Sequence, residues 1–277
     1  MRSVNQPTMA EFFGWQHHPF ADVKSNAKAF VSPKDERICD RALSLLRCGK
    51  SLALCGPSGV GKTSLTAHIV ESLDPNCYKP VLLHYAGYNR SGLLRAVADR
   101  LGVDTNGRSL PLLVRLQKHL LGLTLSSNSL YPVVFVDDAQ LLEKESMMDL
   151  CSLTACADKK SVAASVVLIG DDTLRQRLTL ASMAPVESRL TAIFPLDPLD
   201  EEQSKLFIKH RIEQAKAPKE LIEKDALDMI AAHCRGNRRR IVNTVTLLLD
   251  EAFFRQEKTV CTQTMLECDL IQPADRN

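Results

Sequence analysis

The chain has 277 residues, 45% hydrophobic and 25% charged, with a formal net charge of +2. Those values exclude disorder as the dominant state and a strongly basic tail, so any nucleic-acid contact has to come from a local patch. No apolar run reaches the roughly 18–20 residues that a membrane span needs, and the first twenty residues lack the apolar stretch of a secretory signal. The nine cysteines are an odd number without a CxxC pair, and they read as free buried thiols in a reducing cytoplasm. Residues 1–31 read as an arm whose rings, Phe12, Phe13, Trp15, Phe20 and Phe30, dock on the main body. A helix is expected from Ser32, with a hydroxyl at the cap, Pro33 in the first helical position and Gly49 at its end. The strand SLALC (51–55) then runs into a glycine-rich turn and a helix from Lys62 to Leu73. The strand PVLLHYA (80–86) leads through Gly87–Arg90 to helices near 91–102 and 110–121, with breaks at Asn106-Gly107 and at SSNS (126–129). Three further apolar runs, 132–136, 165–170 and 191–196, alternate with helical segments near 141–157 and 172–189. Short apolar strands alternating with helices predict a three-layer α/β core around a parallel sheet. From Leu199 the pattern is helical only: about 200–214, where Asp200 and Gln203 form a capping box, then 218–233 and 238–256. The expected organisation is an arm over 1–31, a core over 32–198, a helical lid over 199–258 and a tail over 259–277.

The strongest motif is Gly56-Pro57-Ser58-Gly59-Val60-Gly61-Lys62-Thr63, which fits GxxxxGK(S/T) in full between a strand and a helix. Glycines let consecutive N–H groups face phosphates, and the following helix start, Ser64 included, adds its partial positive charge. Lys62 is expected to reach the β- and γ-phosphates of ATP, and the Thr63 hydroxyl to bind Mg²⁺. The strand PVVFV ends in Asp137 and Asp138. It is expected directly beside the phosphate-loop strand, its carboxylates facing the phosphates. Asp137 then holds the Mg²⁺ shell, and Asp138 orients or deprotonates the attacking water. A pair of caps for the next helix is the plainer alternative. Cys151 and Cys156 read as core thiols, since no histidine completes a metal set.

Four stretches in order narrow the comparison: FFGWQHHPF (12–20), the phosphate loop, DDAQLL (137–142) and VVLIGDDTLRQRL (166–178). Together with the helical lid they resemble the P-loop AAA+ ATPases. Within these they resemble the group of the type II secretion ATPase ExeA and the transposition helpers TnsC, TniB and phage Mu protein B. The resemblance spans about residues 12–256 and implies an AAA+ core with a C-terminal lid. By position it implies a sensor-1 role for Asp171, with a helix cap as the rival reading. It implies a trans-acting arginine finger for Arg189, with Arg175 and Arg177 as rivals. Gly236-Asn237-Arg238-Arg239-Arg240 resembles a sensor-2 motif, so Arg239 is the implied ATP contact, with Arg240 one register away. Three arginines at a helix start oppose the helix dipole unless an anion compensates them, which fits phosphate from ATP or DNA. Tyr88 and Arg90 fall where transposon ATPases of this group touch a DNA backbone, and Arg240 is a further DNA candidate.

Most relatives of this layout carry glutamate where Asp138 stands. Its carboxylate is set back by about one C–C bond, and a misplacement of that order costs about a hundredfold in rate. The expectation is therefore a slow, timed ATPase in the cytoplasm. It forms a homo-oligomeric ring or helical filament on duplex DNA, with a transposase as partner and no membrane contact. The alternatives are an ExeA-like secretion-assembly ATPase, or a nucleotide-gated scaffold with very slow hydrolysis.

Overall fold

The computed structural model describes residues 7–21, 29–84, 87–106, 110–125, 129–154 and 163–269. Tyr85 and Ala86 at the end of the expected second strand lie outside the described residues. So do Gly107, positions 126–128, Cys156 and positions 270–277. The chain divides into two compact units: 33–57 with 62–196, and 1–32 with 58–61 and 197–277.

The elements up to residue 196 are α1 (Met9–Phe13), α2 (Pro33–Arg47), β1 (Ser51–Cys55), α3 (Lys62–Glu71), β2 (Tyr78–His84), α4 (Arg90–Leu101), α5 (Leu112–Leu125), β3 (Tyr131–Asp137), α6 (Lys144–Leu153), β4 (Ser165–Gly170), α7 (Asp172–Leu178), α8 (Ala184–Glu187) and β5 (Leu190–Pro195). All but α1 belong to the sheet unit. In α2, Pro33 takes the first helical position. Acidic Asp35 and Glu36 favour its N-terminal dipole, and Cys39, Ala42, Leu43 and Leu46 form its buried stripe. Gly49 follows with φ 67°, the left-handed conformation that glycine adopts without strain. A break interrupts one of the predicted helices, and another starts a few residues late. A 3-10 turn (Ala139–Leu141) precedes α6. Pro185 lies at the start of α8, where its missing N–H is harmless, so the segment 172–189 becomes two helices with a turn between them.

The five strands are parallel and ordered β2-β3-β4-β1-β5. The expected adjacency of β3 and the phosphate-loop strand is therefore corrected. β4 lies between them, with Val167 facing Leu52 on one side and Phe135 on the other. β4 is buried at all six positions, and an unbroken apolar run such as SVVLIG suits the centre of a sheet covered on both faces. One face of the sheet packs on an aliphatic core built from Val81, Val97, Leu116, Val134, Leu150 and Leu168 among others.

The helical unit contains α9 (Glu201–Gln214), α10 (Lys224–Cys234), α11 (Arg238–Phe254) and α12 (Thr262–Glu267). Asp200 and Gln203 make the predicted capping box at the start of α9. The segment read as one helix over 218–233 begins instead with a 3-10 turn, and Ile222 then pairs with Val260 in a parallel bridge. Phe12, Phe13, Trp15 and Phe20 are buried in this unit's core with Ile208, Ile230, Ile241 and Leu248. Phe13 stacks on Trp15 at 4.7 Å, and Phe30 meets Phe207 edge-on at 5.6 Å. Arg211 donates to the carbonyls of Pro19 (2.8 Å) and Ala21 (3.0 Å), which ties the arm's backbone to α9.

Among the described cysteines Cys39, Cys55, Cys151, Cys234 and Cys268 are buried, whereas Cys48 and Cys77 are exposed, so burial does not extend to every thiol. No helix among the described residues is long and apolar enough to cross a membrane.

Candidate functional site

In the sheet unit β1 delivers the chain to Gly56. A Cβ there would strike the carbonyl of Leu196, so only glycine fits. Lys62 opens α3 and folds back, its ammonium donating to the carbonyls of Gly56 (2.7 Å) and Pro57 (3.0 Å). Burial lowers its pKa, opposed by the nearby carboxylates of Asp137, Asp171, Asp138 and Asp172. Thr63 Oγ1 donates to Asp137 Oδ2 at 3.3 Å. A hydroxyl and a carboxylate thus converge as hard oxygen donors beside an ammonium, a set that fits Mg²⁺ and a polyphosphate. Ser64 follows on α3 and is exposed.

Asp138 adopts a left-handed conformation, φ 54° and ψ 37°, and its side chain makes no capping bond to the 3-10 turn that follows. Its N–H donates to Asp137 Oδ1 (3.0 Å), and its Oδ1 accepts from Gln140 Nε2 (3.0 Å). Gln140 Oε1 in turn accepts from the Asp171 N–H at 3.3 Å, joining the ends of β3 and β4. Asp171 caps α7, its Oδ1 accepting from the N–H groups of Thr173 (2.9 Å) and Leu174 (3.3 Å). The capping geometry is therefore present, on the same residue to which the resemblance assigns sensor-1. Arg177 donates to the carbonyls of Gln140 and Leu142 (2.9 Å), which makes it a strut for the turn rather than an outward-facing finger. Arg189 is exposed just ahead of β5, with one donor on the Pro185 carbonyl at 2.5 Å. Arg175 is also exposed.

Tyr88 packs half-buried against the aliphatic core. Arg90 is the first residue of α4 rather than a loop residue, and Asn89 caps that helix. Its guanidinium grips Asp149 with two bonds of 2.6 and 2.8 Å, although 58% of the side chain stays exposed. The two residues expected to form an open backbone-contacting pair are thus a core-packed ring and an ion-paired guanidinium.

Sequence reasoning missed His84. Its Nδ1 lies 3.4 Å from Asp137 Oδ2, because the β2–β3 register sets His84 beside Asp137. The signal was available in principle: each is the last residue of its strand. Gln140 lies inside the DDAQLL stretch, which carries no local sign of its bridge between Asp138 and Asp171.

In the helical unit the loop tip, 58–61, is joined to the start of α11. Gly59 (φ 82°) and Gly61 (φ 103°) hold left-handed conformations. Asn237 Nδ2 donates to the Ser58 carbonyl (2.7 Å), the Arg239 N–H to the Gly59 carbonyl (3.2 Å), and the Arg238 guanidinium to the Val60 carbonyl. Arg239 Nη1 also reaches Ser58 Oγ at 3.0 Å. Arg239, the implied ATP contact, is exposed, while Arg238 is only 7% exposed. Arg240 is half-buried, its N–H donating to Asn237 Oδ1 at 3.1 Å.

A parallel five-stranded sheet with a glycine loop leading from β1 into α3, followed by a helical C-terminal part, is the fold of the P-loop AAA+ ATPases. Residues 47–178 match the family model described as "AAA domain". General secretion pathway protein A of Aeromonas hydrophila is 26% identical over 239 residues, an alignment covering 85% of this chain and 43% of that protein. The chain thus spans less than half the length of that relative. Among solved structures, the ORC2 protein of Aeropyrum pernix in ADPNP and ADP complexes is similar at a TM-score of 0.67 and 15% identity, covering 90% of this chain and 70% of that one. The ORC1 protein of the same organism, in complex with DNA, is similar at a TM-score of 0.64 and 17% identity, covering 86% and 65%.

Proposed function

We propose that the chain binds ATP and Mg²⁺, hydrolyses ATP slowly in the cytoplasm, and in its ATP state assembles head to tail on duplex DNA to present a target to a transposase. The observation that carries the nucleotide part is the convergence of Lys62, Thr63 and Asp137 at the mouth of a glycine loop. In this reading the loop residues 56–64 take the phosphates. Thr63 and Asp137 hold Mg²⁺, Asp138 orients the attacking water, and Arg239 contacts the γ-phosphate. Asp171 borders the site chiefly as a cap. Arg189, exposed, completes a neighbouring subunit's site, as an interface repeated head to tail requires. DNA contact falls to the Tyr88–Arg90 region and to Arg240, and its support is the likeness to a fold with a solved DNA complex.

The test is anisotropy of random-sequence duplex DNA at fixed salt, with no nucleotide, ADP or a non-hydrolysable ATP analogue. Tight binding with the analogue alone, lost in Lys62→Ala and falling steeply with salt, is the expected result. A second reading, an assembly ATPase of type II secretion, is favoured by the alignment with general secretion pathway protein A. Absence of DNA binding in every nucleotide state abandons the first reading for the second. Absence of turnover as well leaves a nucleotide-gated scaffold.

A further inference from the structure

We infer that the start of α11 is a latch that shapes the phosphate loop. Asn237 and Arg238 act as positioning residues for ADP and ATP alike, separately from the γ-phosphate contact assigned to Arg239. The inference rests on the nucleotide-binding reading of the loop. Three successive carbonyls at the loop tip are taken up by three successive residues: Ser58 by Asn237, Val60 by Arg238, and Gly59 by the backbone of Arg239. A trans peptide is planar, with its C=O and the next N–H pointing in opposite directions. Pinning the carbonyls of 58, 59 and 60 therefore turns the N–H groups of Gly59, Val60 and Gly61 away from α11. Those are the groups that a loop of this type presents to phosphates.

The glycines bear the same mark. A Cβ on Gly59 would strike Asn237 Oδ1, and a Cβ on Gly61 would strike the Arg238 guanidinium. Glycine is thus required at both positions by the closeness of α11 as well as by φ. Arg238 is buried at 7% exposure, so its guanidinium is committed to the interior, while Arg239 beside it is exposed. Asn237 has a double function, since its Oδ1 also caps α11 through the Arg240 N–H.

The double function supplies the test. Asn237→Ser keeps a capping oxygen and removes the amide donor without adding charge. Affinities for fluorescent ADP and for a non-hydrolysable fluorescent ATP analogue are measured in wild type, Asn237→Ser, Arg238→Lys and Arg239→Ala. Hydrogen exchange of the Arg239 amide, which donates to the Gly59 carbonyl, is followed in the nucleotide-free proteins. Asn237→Ser and Arg238→Lys should each weaken both nucleotides by about tenfold, the size of one lost hydrogen bond, leaving the ATP-to-ADP ratio unchanged. Exchange at the Arg239 amide should quicken in Asn237→Ser and Arg238→Lys. Arg239→Ala should weaken the ATP analogue more than ADP. The latch is overturned if Asn237→Ser binds both nucleotides as wild type does, or loses the ATP analogue alone. If wild type binds neither nucleotide, the nucleotide reading fails by itself. Exchange of the Arg239 amide then decides: an unchanged rate in Asn237→Ser overturns the latch, and a faster rate upholds it as a loop-shaping contact.

Discussion

The two units hold their functional groups by different means. In the sheet unit Asp137, Asp138 and His84 stand at the ends of parallel strands, and the strand register sets their spacing. Their positions follow from a buried aliphatic core that gathers residues from Ala53 to Val186 around the parallel strands. In the helical unit the groups at the start of α11 are set by side-chain hydrogen bonds to a loop some 180 residues away. The core beneath them is completed by four aromatic residues from the first twenty positions. Register tolerates changes on exposed surfaces, whereas a lattice of individual hydrogen bonds fails one residue at a time. The sheet unit should therefore lose function through its carboxylates, and the helical unit through its single hydrogen bonds to the loop and, for stability, through its aromatic packing.

The largest effect expected is at Arg189. As a trans-acting finger it is worth about 10³–10⁵-fold in turnover. Arg189→Ala should abolish the rise in phosphate release with protein concentration while leaving nucleotide affinity intact. Rescue by mixing with Lys62→Ala subunits, which keep the finger, would confirm action in trans. Equal turnover by wild type and Arg189→Ala at every concentration removes the residue from the site.

Next comes the aromatic plug. Truncating a buried Phe or Trp costs about 3–5 kcal/mol. Phe13→Ala or Trp15→Ala should destabilise α9–α11 and leave the sheet largely untouched, as read by hydrogen exchange resolved by segment. Uniform destabilisation of both units would show that they do not fold separately.

Asp138→Glu addresses the carboxylate end directly. Extending the side chain by one methylene should raise kcat by about ten- to a hundredfold with little change in nucleotide affinity. Gln140, which holds the present carboxylate at 3.0 Å, would have to release it, so the gain should be larger with Gln140→Ala in the same chain. Unchanged or lower turnover in Asp138→Glu sinks the idea that the shorter side chain limits the rate.

The strand runs and the glycine motif were legible because burial on both faces and a positive φ leave direct marks on residue choice, as SVVLIG and Gly59 show. Strand order was not legible. An apolar run does not state its neighbours, so the insertion of β4 between β1 and β3 had to be seen. The break at residues 179–183 is equally hidden, because the stretch 172–189 reads as a single helical segment. Within the run Asn237–Arg240 composition pointed to phosphate, but only geometry separates Arg238, turned inward to Val60, from Arg239, turned outward.

The smallest expected effect, and the one that most sharpens the contrast, is at Arg90. Position alone proposes it as a DNA contact, whereas its bidentate bond to the buried Asp149 makes it a strut between α4 and α6. Arg90→Ala removes both functions and strands a buried carboxylate, so reduced DNA binding by that variant alone decides nothing. Arg90→Ala combined with Asp149→Ala removes the arginine without stranding the acid. If Arg90 also meets a phosphate through its exposed edge, the double variant should bind DNA more weakly. The slope of log affinity against log salt should then be shallower by about one. If Arg90 is only a strut, the double variant should keep the wild-type slope while the single variant shows a lowered melting temperature. A charge that reads as free in a loop is then accounted for by a carboxylate 59 positions further on, a pairing that no local pattern in the chain encodes.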